Sequence, residues 1–447
     1  MAGCDLQHQL ESMECHFNWE LDCSPSSLQK LQRDLEDRLR CGCNWMRHVY
    51  NDLGYVLHVQ GLKDEALEIL IKGQTYIKTE TTYHGDCSLL MNQANMAWVY
   101  YHKGELEKSQ ACLEEVARLQ KEFPTPEGSQ MHPVLIAQKG WTLMKFENSP
   151  KRCAIECFKM ALTGNPEKKN LHKGLALAME KSYTKEDFKG NPGLQREVID
   201  QLKKARDKYK NEDVCLGALY LVNSLACGDM CEEALDEANK LADKLIASGE
   251  ISGLSNLLYL LMARLKNFDK AIEVTEKMLE MFPQSTRVKR NLANCLKRKA
   301  FLLPKESEER LPLLKRSSDL SKDMNPTTVK DSLDLAKLHA CAGDNDAAEH
   351  QYKSLLDREE QLTDAEKQLV LLRYGDYYMF HHKSPNLSVE SFMRAVNIPA
   401  EHRHTCIKRL VHIVRYGSHE RCEEICSFLL NLLCESCRDI GELFLRK

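Results

Sequence analysis

Three pairs of a small residue followed by an aromatic, Gly54-Tyr55, Ala97-Trp98 and Gly140-Trp141, are spaced 43 residues apart. Small-plus-aromatic steps at one fixed interval predict stacked helical repeats. Each repeat buries its apolar face only against its neighbours, so the repeats join into one continuous array. Leu, Ala, Glu, Lys and Met dominate, and runs of alternating Val, Ile or Thr are scarce, so the expected fold is all-α. Such arrays hold a ligand in a groove more often than they catalyse a reaction.

The repeat frame is that of tetratricopeptide pairs: two antiparallel helices with small residues where they cross. With the eighth and twentieth residues of a repeat small, Gly54 pairs with Ala66 and Ala97 with Ser109. Gly140 leads to Ala154 with two extra residues in the turn, and Phe158, Ala161 and Pro166 follow at the expected offsets. Weaker units are Cys215–Leu245 around Ala234, Tyr259 with Ala271 and Pro283, Ala336 with Ala348 and Tyr352, and a degenerate pair over Leu371–Pro399. Lys185–Gly193, with Gly190, Asn191 and Pro192, is expected to be a connecting loop. Leu303–Lys330, charged and carrying Pro304, Pro312 and Pro326, is expected to be a helix with loops. The expected architecture is therefore an all-α tetratricopeptide-repeat helical superhelix (solenoid) with a carboxyl-terminal helical bundle. Its divisions are amino-terminal helices over 1–45, main repeats over 46–245, a further repeat and linking helix over 246–330, and a repeat bundle with a divergent tail over 331–447.

Hydrophobic residues at 43% and charged residues at 29% suit a folded chain, and the net charge of -4 selects no partner. Nineteen Cys are present, but Met1–Ser24 has no apolar signal core. Cys112, Cys157 and Cys295 stand where a small hydrophobe packs in a helix, so reduced thiols and a cytoplasmic location are expected. No apolar run is long enough to span a membrane. Neither GxxxxGK[ST], HExxH nor GxSxG occurs, so no enzyme is expected. Cys41-Gly-Cys43 and the lone Cys434–Cys437 pair lack zinc-finger partners, so neither a metal nor another cofactor is expected.

Cys15-His16-Phe17-Asn18-Trp19-Glu20-Leu21, then Ala97-Trp98-Val99-Tyr100-Tyr101-His102, then Lys139-Gly140-Trp141 running to Lys145-Phe146 resemble, in order and separation, the interferon-induced proteins with tetratricopeptide repeats. The resemblance is close over 10–183, loose over 190–330, moderate over 331–399 and nearly lost after 400. It implies a cytosolic antiviral effector of innate immunity. Its partner would be RNA, held by a triphosphate or incompletely methylated 5′ end in a basic tunnel and so sequestered from translation. Other members of the family act on AU-rich duplexes or through relatives. A protein–protein scaffold docking relatives or signalling adaptors is thus the alternative, and the tail leucines Leu429, Leu430, Leu432 and Leu433 would serve it.

Positions nine, twelve and thirteen of each first helix generally face the groove, which selects Tyr55, His58 and Val59; Trp98, Tyr101 and His102; and Trp141, Met144 and Lys145. Two readings are open for these aromatics: stacking on bases, or filling the seam between helices. The resemblance places the family's cap-stacking tryptophan on Trp141, its phosphate-contacting lysine on Lys145, and a phosphate-contacting arginine on Lys181. Its His-Gln pair falls on Arg290-Asn291, inside a run of Arg287, Lys289, Arg290, Lys297, Arg298 and Lys299 that no acid interrupts. That run is either a solvated basic face or a wall of the RNA site. The family's amino-terminal arginine and glutamine fall on Asp34 and Arg38, and two further basic positions near Asn256 and Leu260. Asp34, Asn256 and Leu260 remove positive charge, and Arg38 is the cation that could neutralise Asp34. The expected RNA contacts are thus Trp141, Lys145, Lys181, Arg290, Asn291 and Arg38, with Lys145→Glu weakening RNA binding without lowering thermal stability. Lys203, Lys204, Arg206, Lys208 and Lys210 are read as an exposed helix face.

Overall fold

The computed structural model describes residues 2–21, 23–41, 46–79, 87–127, 131–146, 151–228, 233–304, 306–321, 328–416 and 420–432. All regular elements among them are helices. The chain divides into two compact units, Met1–Asn291 and Leu292–Lys447, so the division falls inside the helix Thr286–Leu302.

The first unit opens with the helix Ala2–Glu11, a short 3-10 turn His16–Asn18, and the helix Pro25–Cys41. Antiparallel pairs follow: Met46–Val59 with Lys63–Thr79, Cys87–His102 with Leu106–Glu122, and Pro133–Leu143 with Lys151–Gly164. The repeated small residues sit where the paired helices touch. A Cβ on Gly54 would lie 2.6 Å from Leu70 Cγ, and one on Gly140 would lie 3.1 Å from the Phe158 ring. At Ala97 and Ser109 the backbones are close enough for the Ser109 hydroxyl to donate to the Ala97 carbonyl at 2.8 Å. The turns repeat too. Gly61 and Gly104 take φ of +88° and +80°, and the following Leu62 and Glu105 amides donate to the Leu57 and Tyr100 carbonyls. This left-handed closure of a helix end favours glycine, whose missing Cβ removes the steric cost.

Lys169–Ser182 next packs on both Lys151–Gly164 and Pro192–Lys208. Lys185–Gly193 is not the expected loop. Thr184 and Asp187 form a capping box that starts the helix Lys185–Gly190, and the Asn191 side chain caps the helix Pro192–Lys208 through the Gly193 and Leu194 amides. The Gly-Asn-Pro signal marks a junction between helices, because Asn caps and Pro tolerates the first helical turn. Two further pairs complete the unit: Val214–Ala226 with Ala234–Ser248, then Leu254–Tyr259, continued by a π-helical turn Leu260–Arg264, with Phe268–Met281. Several thiols lie in this core. Burial pushes Cys15 up to about 12, and Cys112 and Cys215 up to about 11.

The second unit contains Arg310–Ser321, the pairs Val329–Ala342 with Asn345–Leu356 and Asp364–Phe380 with Pro385–Val396, and the helix Arg403–Tyr416. Its centre is aromatic: Tyr352 stacks on Tyr374 at 4.9 Å between ring centroids, and Tyr378 donates to the Tyr374 hydroxyl at 2.6 Å. Cys406 is fully buried there, its thiol raised to about 11 by burial. Leu429 and Leu432 pack on this unit's core, whereas Leu430 is exposed. Cys43, Leu433, Cys434 and Cys437 lie outside the described residues. Among those described, no helix is long and apolar enough to cross a membrane, and no cluster of His, Cys, Asp or Glu has the make-up of a metal site.

Candidate nucleic-acid interface

The amino-terminal motif Cys15–Trp19 docks onto the first helices of the first two pairs. The Phe17 ring stacks on Trp98 at 5.7 Å and meets Tyr55 edge-on at 5.1 Å. The Tyr55 hydroxyl lies 3.3 Å from the Cys23 sulfur. Tyr55 and Trp98 are both buried, so of the two readings open for them the seam-filling one holds. His58 and His102 lie under the same ring, with His102 Nδ1 3.0 Å from His58 Nε2.

His16 is buried and crosses to both helices. Its backbone amide donates to Asn95 Oδ1 at 3.3 Å, and the Asn95 amide lies 3.0 Å from its Nδ1. That contact assigns Nδ1 as acceptor, leaving Nε2 to donate to Asp52 Oδ1 at 2.9 Å. The Thr142 hydroxyl donates to the same oxygen at 3.2 Å. The other Asp52 oxygen takes the Lys145 ammonium. Burial alone would raise the Asp52 carboxyl. The Lys145 charge and the His16 hydrogen bond more than reverse this and hold it well below the ordinary carboxylate range. Burial and the nearby Lys145 charge also push His48 down to about 3. Lys145 is therefore the counter-ion of a buried acid. Removing its charge would strand that acid, so the expectation that Lys145→Glu spares thermal stability is corrected. Trp141, one turn earlier, is half-buried with its ring edge-on to Phe158 at 5.1 Å.

A second set of charges gathers from three distant segments. Lys181, at the end of Lys169–Ser182, is exposed to solvent, yet surrounding protein desolvates its ammonium and lowers its pKa. It lies within electrostatic reach of Glu180, Cys215, Lys151 and Arg38. Arg287, in the first turn of Thr286–Leu302, is pushed down by burial, with Asp34 opposing that shift and Arg38 adding to it. Arg38 Nε itself donates to Asp34 Oδ2 at 2.9 Å. Lys181 and Arg287 are thus both desolvated by surrounding protein, and Arg38 is a charge within reach of each.

Of the expected residues, Arg38 and Lys181 are thus brought together, and Lys145 belongs to the Asp52 network. Arg290 is exposed, with no hydrogen-bond or ion-pair partner among the described residues. Asn291 Nδ2 reaches Ser255 Oγ at the long distance of 3.5 Å. Val288, Leu292, Cys295 and Leu296 are fully buried, as the opposite face of that helix requires. Leu260 is likewise core, and Asn256 donates to the Cys215 sulfur at 2.9 Å. Arg287, one helical turn before Asn291, lies within electrostatic reach of Asp34 and Arg38. Its signal was the uninterrupted basic run; which cation of that run turns inward depends on packing across 249 residues. Asp52 was missed altogether, although an acid between Val49, Leu53 and Val56, all buried, is an anomaly visible in the sequence.

A tetratricopeptide-repeat family profile matches residues 93–123, the pair around Ala97 and Ser109. Over 422 residues the chain is 27% identical to human interferon-induced protein with tetratricopeptide repeats 2, covering 89% of this chain and 84% of that protein. The chain resembles the interferon-induced proteins with tetratricopeptide repeats. It is also 25% identical over 415 residues to the antiviral innate immune response effector IFIT1 of Macaca fascicularis, covering 88% of this chain and 84% of the relative. The structure of the human IFIT1 dimer with PPP-AAAA superposes with a TM-score of 0.60 at 21% identity, covering 92% of this chain and 90% of the other. That likeness gives the fold of the family, an all-α tetratricopeptide-repeat superhelix.

Proposed function

We propose that the chain is an antiviral RNA-binding protein that holds viral-type RNA by its 5′ end, triphosphate or incompletely methylated, and sequesters it without a catalytic step. One observation carries this: Lys181 and Arg287, from segments far apart in sequence, each lie within electrostatic reach of Arg38 where solvent reaches them, opposed by Asp34, Asp37 and Glu180. Like charges held together in a desolvating setting raise each other's energy, and a phosphate chain relieves that with charge-assisted hydrogen bonds. Trp141 supplies a ring for a terminal base or cap, and Arg290 with Asn291 extends the contacts along the strand. The binding of PPP-AAAA by a structural neighbour and the antiviral role in a relative's name support the same reading.

Lys181→Glu and Arg287→Glu, assayed by gel shift with a short 5′-triphosphate single-stranded RNA, test it. Each is expected to lose roughly tenfold or more in affinity, at about 1.5–3 kcal/mol per charge-assisted contact. Retention of that RNA by both variants at wild-type affinity would falsify the assignment. The scaffold reading keeps one supporting observation, the exposed Leu430 beside the packed Leu429 and Leu432. Light scattering on Leu430→Glu tests its self-associating form: a monomer in both wild type and variant removes it.

A further inference from the structure

We infer that Asp37 is a positioning residue for RNA recognition: its buried carboxylate seats the amino-terminus of the helix Thr286–Leu302 and thereby holds Arg287 beside Arg38. The inference rests on the RNA reading above and deepens it.

Asp37 is only 4% exposed, far below what a surface helix acid shows. One oxygen accepts the Ser285 hydroxyl at 2.8 Å, and the other accepts the Thr286 backbone amide at 3.0 Å. Ser285 Oγ in turn accepts the Val288 amide at 3.3 Å, as the residue before a helix does. The first turn of that helix is therefore tied, through two linked groups, to a side chain 249 residues earlier. An acid at a helix amino-terminus is also favoured by the helix dipole.

The last turns of Pro25–Cys41 converge on the same place. Asp34 and Cys41 stand three residues before and four after Asp37 on its face, and Arg38 stands four after Asp34. Asp34, Arg38 and Asp37 itself are the charges acting on Arg287, and Ser285 and Arg287 both lie within electrostatic reach of the Cys41 thiol. Arg287 directly follows the amide that Asp37 accepts. Without Asp37, the Thr286 amide and the Ser285 hydroxyl lose a buried acceptor, and the first turn that carries Arg287 loses its tie.

The sign of the effect separates positioning from simple electrostatics. Deleting an acid near a phosphate site strengthens anion binding if that acid merely repels. Asp34 pairs with Arg38 at the surface of the cluster, so Asp34→Asn is expected to leave RNA affinity unchanged or raise it. Asp37→Ala is expected to lower it, although it too removes a negative charge.

The full chain is assayed with a short single-stranded RNA bearing a 5′-triphosphate and the same RNA bearing a 5′-hydroxyl, across a salt series, with hydrogen exchange followed at residues 285–291. Asp37→Ala should bind the triphosphate RNA roughly tenfold more weakly. The slope of log affinity against log salt should flatten by about 0.7, the value of one single-strand phosphate contact, matching Arg287→Ala. Exchange at 286–289 should quicken, and Asp37→Asn, which keeps an acceptor oxygen, should fall between. A folded Asp37→Ala protein with affinity and slope equal to or above wild type overturns the inference. If Asp37→Ala gives no cooperative melt, Ser285→Ala carries the same comparison, and an unchanged salt slope there overturns it equally. Should wild type ignore both RNAs, the RNA reading fails. Faster exchange at 286–289 in Asp37→Ala would then still show that Asp37 holds the helix end, and unchanged exchange would remove both ideas.

Discussion

Lys145 and Lys181 both lie at the carboxyl ends of helices in neighbouring repeats, yet they serve different ends. Lys145 faces a carboxylate that is almost fully buried and completes a network with His16, Thr142 and Asn95. Lys181 has Lys151 and Arg38 as like charges within reach, opposed by Glu180. A cation in a helical array is withheld from a ligand when the acid committed to it is buried, as Asp52 is, and less so when that acid is open to water, as Asp34 beside Arg38 is. Charge alone does not tell the two apart; the partner one helix away does.

The sharpest way to break this comparison is Lys145→Glu. Placing a second carboxylate against Asp52 removes the partner of a buried ion, which costs about 3–5 kcal/mol. A large fall in melting temperature is expected, and a variant as stable as wild type would put Lys145 back among the free cations. Next in size is the paired change Lys181→Glu with Arg287→Glu. RNA retention should fall further than with either single change, by more than about tenfold, with melting nearly unchanged, and less than additively because both cations share Arg38. A comparable loss of stability would make the second cluster structural like the first.

Acid provides a smaller and graded test. Burial, the neighbouring His102 and Lys63 lower His58 to about 4, and burial with Lys145 lowers His48 to about 3. An unfolded imidazole takes its proton near pH 6.5, so the unfolded chain gains protons that the fold refuses. Stability should therefore fall as pH drops from about 6.5 towards 4. Asp52 behaves oppositely in range: its contribution is present above the unfolded carboxylate value and is lost only below it. Melting temperature measured from pH 7 to pH 5 should decline, and His58→Gln should flatten that slope. An equal slope in the variant would assign the loss elsewhere. The smallest change is Tyr55→Phe, which removes the contact to Cys23 and should cost at most about 1 kcal/mol while leaving RNA binding intact. A clear loss of RNA retention there would restore the stacking role for that ring.

The parts of the molecule that the sequence displays well are those set by sterics between consecutive helices. Gly54 against Leu70, Ser109 against Ala97 and Gly140 against Phe158 are local demands, and local demands repeat with the period of the fold. The junction at Asn191 and Pro192 was visible as punctuation, but capping made it a helix start where a loop was expected. The candidate site was half legible. Arg38 and Lys181 could be named from the resemblance, whereas their meeting with Arg287, and the Asp37 link beneath it, depends on segments that approach only after every intervening pair has stacked. Tyr55 and Trp98 show the same limit from the other side: their pattern suits a nucleobase, and Phe17, from a motif more than thirty residues earlier, occupies that face.

The deeply sequestered sulfurs make the protein its own gauge of breathing. Cys15, Cys112 and Cys215 in one unit and Cys406 in the other hold their protons far above neutrality, whereas Cys153, Cys227 and Cys426 stand in solvent. An alkylating reagent should tag the outer group at once and reach the inner group only when its own unit opens. The order in which inner positions are tagged would then time the loosening of each unit separately, with no probe added to the chain.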